Sequence, residues 1–291
     1  MANVTQGATG SDLEEATEKT VDTGAGPVHF RELGEGEPLV FIHGLLVNGL
    51  LWRKVVPALA TRYRCVVPDL PLGAHRTPMA KDADLSPPGL AKIIAEVADG
   101  LNLGRATFIA NDTGGAITQI LAASQPERFE RLVLTPCDMF DNFLPPLFRP
   151  LQWIGSNPTA LGAVLQPMRI EAIRNSPLGF GWLAKRAIEK RISDRYIHCV
   201  LHSSAIRRDV SKILRGISAK YTIEAAEKLR TFDAPALLVW ADEDRVFPVE
   251  HGRRMAAILP DARVHMVDDS YSFVPEDQPD QLAALIADFV G

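Results

Sequence analysis

The sequence predicts an α/β protein in which a mostly parallel, doubly wound β-sheet is flanked by helices. Short apolar, β-branched runs alternate with segments of helical periodicity as far as Asp138, and this alternation is typical of parallel sheets with crossover helices. From there to Pro235 the periodicity is purely helical. We therefore predict an α/β core formed by residues 23–138 and 231–291, and a helical cap, residues 139–230, inserted over one end of the sheet.

The predicted elements follow one another in a regular order. An alternating strand at 28–33 precedes a continuous apolar run at Pro38–Ile42. A run that is apolar at every position is expected of a strand with both faces buried, as in a parallel sheet. The remaining predicted strands are 63–68, 106–110, 131–135, 235–240 and 263–267, and the predicted core helices are 50–60, 88–101, 114–124, one from about 249, and 279–290.

Composition excludes several classes of protein. The hydrophobic share of 46% and the charged share of 23% are typical of a globular domain, and the net charge of -5 provides no basic surface for nucleic acid. The three cysteines have no metal-binding spacing, so we expect a cytoplasmic protein with no metal and no cofactor.

Residues 1–22 are polar and are expected to form a flexible tail. No signal peptide or membrane-spanning run is visible. The expected partner is a small-molecule substrate, with no nucleic acid and no membrane, and the protein is expected to be a monomer or a homodimer.

A strand, a tight turn and a helix meet at Asp112. The segment has the pattern small-x-Asp-x-Gly, with Ala110 before the aspartate and Gly114 and Gly115 after it. Such a turn needs small neighbours, and it presents its central side chain at a helix N-terminus, where a negative charge is stabilised. The pattern predicts that Asp112 is a nucleophile. The alternative interpretation is a simple helix N-cap.

A second motif, His43-Gly44-Leu45, follows the apolar strand at Pro38–Ile42. With this motif the chain resembles the α/β-hydrolase superfamily over nearly its whole length past the tail, and it is nearest to the haloalkane dehalogenase and epoxide hydrolase branch, which uses an aspartate nucleophile. The resemblance implies that the backbone N–H groups of Leu45 and Thr113 form an oxyanion hole. It also implies a structural role for His43.

The resemblance assigns the other catalytic positions less completely. Asp244, in the loop after a late strand, matches the acid of the triad, and Asp138 matches a second acid position known in the superfamily. Ser272 stands where the superfamily has its catalytic histidine, and no histidine follows His265 in the chain. His75, in a loop at the same end of the sheet, is our favoured substitute base.

The sequence predicts a hydrolase that acts on a hydrophobic small molecule of haloalkane, epoxide or ester type. Asp112 would attack the substrate and form an ester intermediate. Two alternatives stay open: a lyase or isomerase in which Asp112 acts as an acid or base, and an inactive small-molecule binder. Aromatic residues would supply the apolar substrate pocket; the candidates are Trp52, Phe140, Phe143, Phe148, Trp153 and, in the cap, Tyr196.

Overall fold

The computed structural model describes residues 12–291, so residues 1–11 of the predicted tail lie outside the described part of the chain. Eight strands form one sheet in the order β1-β2-β4-β3-β5-β6-β7-β8. The first two pairings, β1 with β2 and β2 with β4, are antiparallel, and all others are parallel. The strands are β1 (Glu18–Thr23), β2 (Gly26–Leu33), β3 (Pro38–Ile42), β4 (Arg64–Asp69), β5 (Ala106–Asp112), β6 (Phe129–Cys137), β7 (Ala236–Ala241) and β8 (Ala262–Val267).

Helices cover both faces of this sheet and one of its ends, and the predicted fold class is confirmed. None of the helices within residues 12–291 is long and apolar enough to cross a membrane. The helices are α1 (Val56–Leu59), α2 (Pro87–Gly100), α3 (Thr113–Ser124), α4 (Arg149–Gly155), α5 (Pro158–Val164), α6 (Glu171–Arg174), α7 (Lys190–His202), α8 (Ser204–Gly216), α9 (Ala219–Lys228), α10 (Val249–Ile258), α11 (Val274–Asp277) and α12 (Pro279–Val290), with short 3₁₀ turns at Gly49–Trp52, Pro126–Arg128, Pro146–Phe148, Gln166–Arg169 and Leu229–Thr231.

The predicted tail is wrong at its C-terminal end, because Glu18–Thr23 is a strand. It forms an antiparallel hairpin with β2, in which Val21 pairs with Val28 and is buried. An edge strand has one face in solvent, so a mostly polar sequence with a single buried valine suits it. The polar sequence that predicts a tail is therefore explained by the position of this strand at the edge of the sheet.

Helix α9, the last helix of the segment predicted as the cap, packs against a helix of the core. Helix α9 packs against α3, the helix that follows the central strand. Its small residues Ala225 and Ala226 are buried, and Thr222 donates a hydrogen bond to the carbonyl of Phe140. Helical periodicity alone does not distinguish a cap helix from a helix that covers the sheet. The segment predicted as the cap, residues 139–230, therefore includes one helix that packs against the core.

The parallel strands direct their carboxyl ends to one edge of the sheet, and residues from the segment predicted as the cap line a cavity at that edge. Strand β5 is central and buried at all seven of its positions. Asp112 is its last residue, and Asp138 and Asp242 follow directly after the neighbouring strands β6 and β7. This edge, where loops of adjacent parallel strands meet, is the usual place for a ligand site in an α/β sheet.

Candidate active site

Asp112 lies at a sharp turn between β5 and α3. Its backbone has φ 55° and ψ -138°, a conformation with positive φ that an aspartate adopts at a cost and that is common at functional sites. The glycines around it allow close approach. A Cβ atom at Gly44 would lie 2.4 Å from the Asp112 Cβ, and one at Gly114 would lie 2.2 Å from the carbonyl oxygen of His43. The histidine–glycine motif therefore packs directly against the turn.

The carboxylate of Asp112 is held on one side only. Its Oδ1 atom accepts hydrogen bonds from the backbone N–H of Thr113 at 2.5 Å and from the Thr113 hydroxyl at 3.1 Å. A helix N-cap makes the same hydrogen bonds. Asp112 therefore caps α3 through Oδ1, and its role as N-cap does not exclude a role in binding a ligand. Within residues 12–291 no protein group donates to Oδ2, which leaves this oxygen available to a ligand.

Asp138 is connected to Asp112 through the hydroxyl of Thr113. The Asp138 Oδ2 atom lies 3.2 Å from Thr113 Oγ1. Burial raises the pKa of Asp138 well above its usual range, and the nearby Asp112 carboxylate raises it further. The Thr113 hydroxyl has a single hydrogen, so it can donate to Asp138 or to Asp112 at any one time. The two carboxyl groups therefore share one hydroxyl donor.

Asp244 and Ser272 contact each other, as the resemblance implies for the acid and the residue at the histidine position. The Oδ1 atom of Asp244 accepts from the backbone N–H groups of Val246 and Phe247, at 2.7 Å each, and from the Ser272 hydroxyl at 2.9 Å. The Ser272 carbonyl accepts from the side-chain amide of Asn111 at 2.9 Å. The loop that carries Ser272 is thus fixed beside the residue that precedes Asp112.

Burial dominates the electrostatics of the site. It raises the pKa of Asp112 to about 6, against the opposing effect of the Thr113 hydrogen bonds. It also raises the pKa of Asp244 to about 6, although this carboxylate accepts three hydrogen bonds. Both groups are therefore mainly ionised at pH 7.5, but at a cost in folding free energy. Among residues 12–291, no histidine lies within hydrogen-bonding distance of Asp112.

The structure places His75, the proposed substitute base, against the cap. Its Nδ1 atom accepts a hydrogen bond from Gly73 N–H at 3.2 Å, and its Nε2 atom lies 3.3 Å from Asp209 Oδ2 on α8. Both imidazole nitrogens are thus occupied by other partners. His43 is buried and accepts from the backbone N–H of Leu70 at 2.9 Å, which fits the structural role implied for it.

A cavity of about 370 Å³ lies between the carboxyl edge of the sheet and the cap. Asp112 and Thr113 are the only side chains with polar atoms among its lining residues, all of which belong to the described part of the chain. Leu45 and Thr113, the predicted oxyanion-hole residues, both line it. The other lining residues are apolar or glycine: Leu46, Leu144, Leu147, Phe148, Pro150, Leu151, Ile154, Val164, Leu165, Pro167, Met168, Ile173, Pro177, Leu178, Gly179, Phe180 and Leu183.

Of the predicted pocket aromatics, only Phe148 lines this cavity. Trp52 packs on Phe41 in the core, and Phe140 stacks edge-on against His251. Phe143 and Tyr196 are buried in the interior. The Tyr196 ring instead contacts Phe180, and its hydroxyl lies 3.4 Å from Glu276. Trp153 is exposed.

Sequence reasoning missed the aliphatic side chains of the cap that form most of the cavity wall, such as Leu144, Met168 and Leu183. A signal for them exists in the sequence. Between Asp141 and Glu171 there is no acidic residue, and the only charged side chains are Arg149 and Arg169. A stretch so poor in charge, in a chain with 36 acidic residues, indicates a surface that faces something other than water.

Comparison with known proteins agrees with this architecture. Residues 37–279 match the family described as the alpha/beta hydrolase fold, and the chain belongs to that family. It is 27% identical over 283 residues to haloalkane dehalogenase 2 of Mycobacterium bovis, covering 93% of each chain. It is 28% identical over 276 residues to a cis-3-alkyl-4-alkyloxetan-2-one decarboxylase of Shewanella oneidensis, covering 90% of this chain and 85% of the relative. Among solved structures, the haloalkane dehalogenase DbeA from Bradyrhizobium elkani superposes with a TM-score of 0.77 at 19% identity, over 95% of this chain and 97% of that one.

These matches place the chain near the dehalogenase branch of the family, as the resemblance implied. The relatives include dehalogenases, an esterase and a decarboxylase. The family is therefore established, while the substrate and the role of each site residue are matters for proposal.

Proposed function

We propose that the protein binds a small apolar electrophile in the cavity and that the Asp112 carboxylate attacks a saturated carbon of that molecule. The observation that supports this most directly is the position of Asp112 Oδ2, which has no donor within residues 12–291 and belongs to a residue that lines the cavity. Apart from Asp112 and Thr113, the lining residues of this cavity are apolar or glycine. In the reaction a C–O bond forms to Asp112, the carbon–halogen bond breaks, and the halide leaves with the electron pair. No proton is needed for this step. The negative charge moves from Asp112 to the departing halide, so a haloalkane needs no proton donor in the cavity.

The second step of such a reaction, hydrolysis of the ester, is expected to be slow. It needs a base that activates water, and no imidazole lies next to Asp112. A serine hydroxyl, as at position 272, is too weak a base for this purpose, because it is protonated at all relevant pH values. We therefore expect the alkyl ester on Asp112 to persist, so that the protein completes at most one fast turnover.

The proposal is tested by intact-protein mass spectrometry after incubation with 1-chlorohexane, 1-bromohexane and 1,2-epoxyhexane. The expected result is a stable mass increase of one alkyl group from at least one reagent, located on Asp112 by peptide mapping. Asp112→Asn is expected to abolish the adduct, since an amide is a poor nucleophile. The matched control is Asp242→Asn, which alters an exposed acid after a neighbouring strand and should leave the adduct unchanged. Absence of any adduct and of any turnover in the unaltered protein would contradict the proposal.

A second candidate function is a lyase reaction that consumes no water. The missing imidazole favours it, because water need not be activated when a four-membered lactone ring opens into an alkene and carbon dioxide. One relative is named as a decarboxylase of cis-3-alkyl-4-alkyloxetan-2-ones, and the apolar cavity would accept two alkyl chains. The test is incubation with a synthetic lactone of this class and detection of the alkene by gas chromatography. Alkene formation that is lost in Asp112→Asn would support this function, and intact lactone after prolonged incubation would exclude it.

A further inference from the structure

The cap exposes large apolar side chains that a globular protein normally buries. Trp153 is 76% exposed and Leu178 is 83% exposed. Leu147, Ile154, Val164 and Ile170 are exposed at 40–56%. We call these six residues the cap rim. A single exposed leucine needs no explanation, whereas six large apolar residues in one segment of the chain indicate an interaction surface.

Part of the cap rim lies at the mouth of the cavity. Leu147, Ile154, Val164 and Leu178 are both exposed to solvent and part of the cavity wall. Trp153 lies next to Ile154 on α4. An apolar molecule could therefore pass from the rim to Asp112 without crossing a polar boundary, and the rim and the cavity form one continuous apolar surface.

The charges beside the cap rim are positive and without ion-pair partners. Arg149 and Arg169 are the only charged residues between Asp141 and Glu171. Arg215 is exposed and donates to the carbonyl of Ser156, just after α4. In the described part of the chain none of these three arginines forms a salt bridge. The charged side chains beside the rim are therefore positive although the net charge of the protein is -5, and positive charge favours contact with an anionic surface.

We propose that the cap rim docks on the surface of an anionic lipid bilayer. Trp153 and Leu178 would enter the boundary between headgroups and acyl chains, where tryptophan is favoured, while Arg149, Arg169 and Arg215 contact lipid phosphates. The cavity mouth then opens toward the lipid. Only this last consequence depends on the proposed function: an apolar electrophile dissolved in the bilayer would reach Asp112 directly. Docking of this kind is peripheral and needs no membrane-spanning helix, and it would overturn the sequence-based expectation that the protein has no membrane partner.

The test is flotation of the full chain with vesicles of phosphatidylcholine alone and with an equimolar mixture of phosphatidylcholine and phosphatidylglycerol. We expect binding to the anionic vesicles that weakens with added salt. The double variant Trp153→Ser/Leu178→Ser should bind at least about tenfold more weakly, since it removes the two most exposed apolar side chains. Arg149→Gln and Arg169→Gln should each weaken binding about fivefold. The matched control is Ile223→Ser/Val264→Ser, which changes exposed apolar residues outside the rim and should bind as the unaltered protein does.

Three outcomes would overturn the proposal. One is failure of the unaltered protein to float with anionic vesicles at low salt. Another is equal binding by the unaltered protein and the Trp153→Ser/Leu178→Ser variant. The third is that the unaltered protein sediments as a dimer and does not bind vesicles, while the Trp153→Ser/Leu178→Ser variant sediments as a monomer. The rim would then be a surface for a second copy of the chain. Flotation does not measure alkylation, so its failure leaves the nucleophile proposal intact, and a loss of alkylation in Asp112→Asn leaves the docking proposal intact.

Discussion

Replacing Ser272 with histidine is expected to accelerate hydrolysis of an alkyl ester on Asp112 by about 10²–10⁴-fold, the usual contribution of a general base. The expectation follows from the position of Ser272. Its hydroxyl lies 2.9 Å from Asp244, and its backbone is held by Asn111. An imidazole at this place would find a carboxylate partner that fixes its tautomer and stabilises the protonated ring, as in a catalytic triad.

The measurement is the lifetime of the alkyl adduct, followed by intact mass after excess reagent is removed. Ser272→Ala is the control, because it removes the hydroxyl without adding a base and should leave the lifetime long. Ser272 is fully buried, so the larger imidazole carries an overpacking cost of about 1–3 kcal/mol, and thermal unfolding must show that the variant is folded. A folded Ser272→His protein with an unchanged adduct lifetime would contradict the mechanism, as the base would then have no ester within reach.

Asp112→Asn is expected to stabilise the protein at pH 8 by up to about 3 kcal/mol. Burial raises the pKa of Asp112 from 3.8 to about 6, and each pKa unit corresponds to about 1.4 kcal/mol. A carboxyl group with a raised native pKa lowers the stability of the fold when it is ionised. This cost is absent below pH 3.8, grows between pH 3.8 and 6, and is fully present above that range. Asparagine removes the charge, keeps an acceptor for the Thr113 N–H, and tolerates the positive φ.

The check is urea unfolding of both proteins at pH 8 and at pH 4. The gain in free energy of unfolding should be large at pH 8 and much smaller at pH 4, since at pH 4 Asp112 is protonated in the native protein and is close to its unfolded pKa of 3.8 in the unfolded protein. Asp242→Asn, at an exposed position, should show no pH-dependent gain. A variant that is less stable at pH 8, or equally stabilised at both values, would show that Asp112 is not a strained, charged residue in the native state.

Features that depend on a few neighbouring residues could be predicted from the sequence. The turn at Asp112 needs only a strand, small flanking residues and a helix, and all are local. The C-terminal helix Pro279–Val290 was predicted with its bounds because its apolar periodicity and its proline are local as well. Ser272 was placed at the histidine position by its loop, and its contact with Asp244 agrees with that placement.

Features that depend on tertiary packing could not be predicted in this way. Trp52 and Tyr196 are apolar or amphipathic residues in segments with helical periodicity. This periodicity is the same for residues that pack in the core and for residues that line a cavity, so it does not distinguish the two. For the same reason the sequence predicts α9 as part of the cap, although α9 packs against the core helix α3. Asp209, the side-chain partner of His75, lies 134 residues away on α8, so no local pattern indicates that its imidazole is already occupied.

The hydrogen bond between Asn111 and the Ser272 loop has a consequence for engineering. It uses the carbonyl oxygen of Ser272 and not its hydroxyl, so the loop is anchored whatever side chain stands at position 272. Under the proposed chemistry, formation of the covalent product depends on Asp112 and the cavity, whereas its release depends on the side chain at 272. The rate of adduct formation and the rate of adduct hydrolysis can then be changed separately. A series of substitutions at position 272 would yield protein tags that retain an alkyl label on Asp112 for different lengths of time.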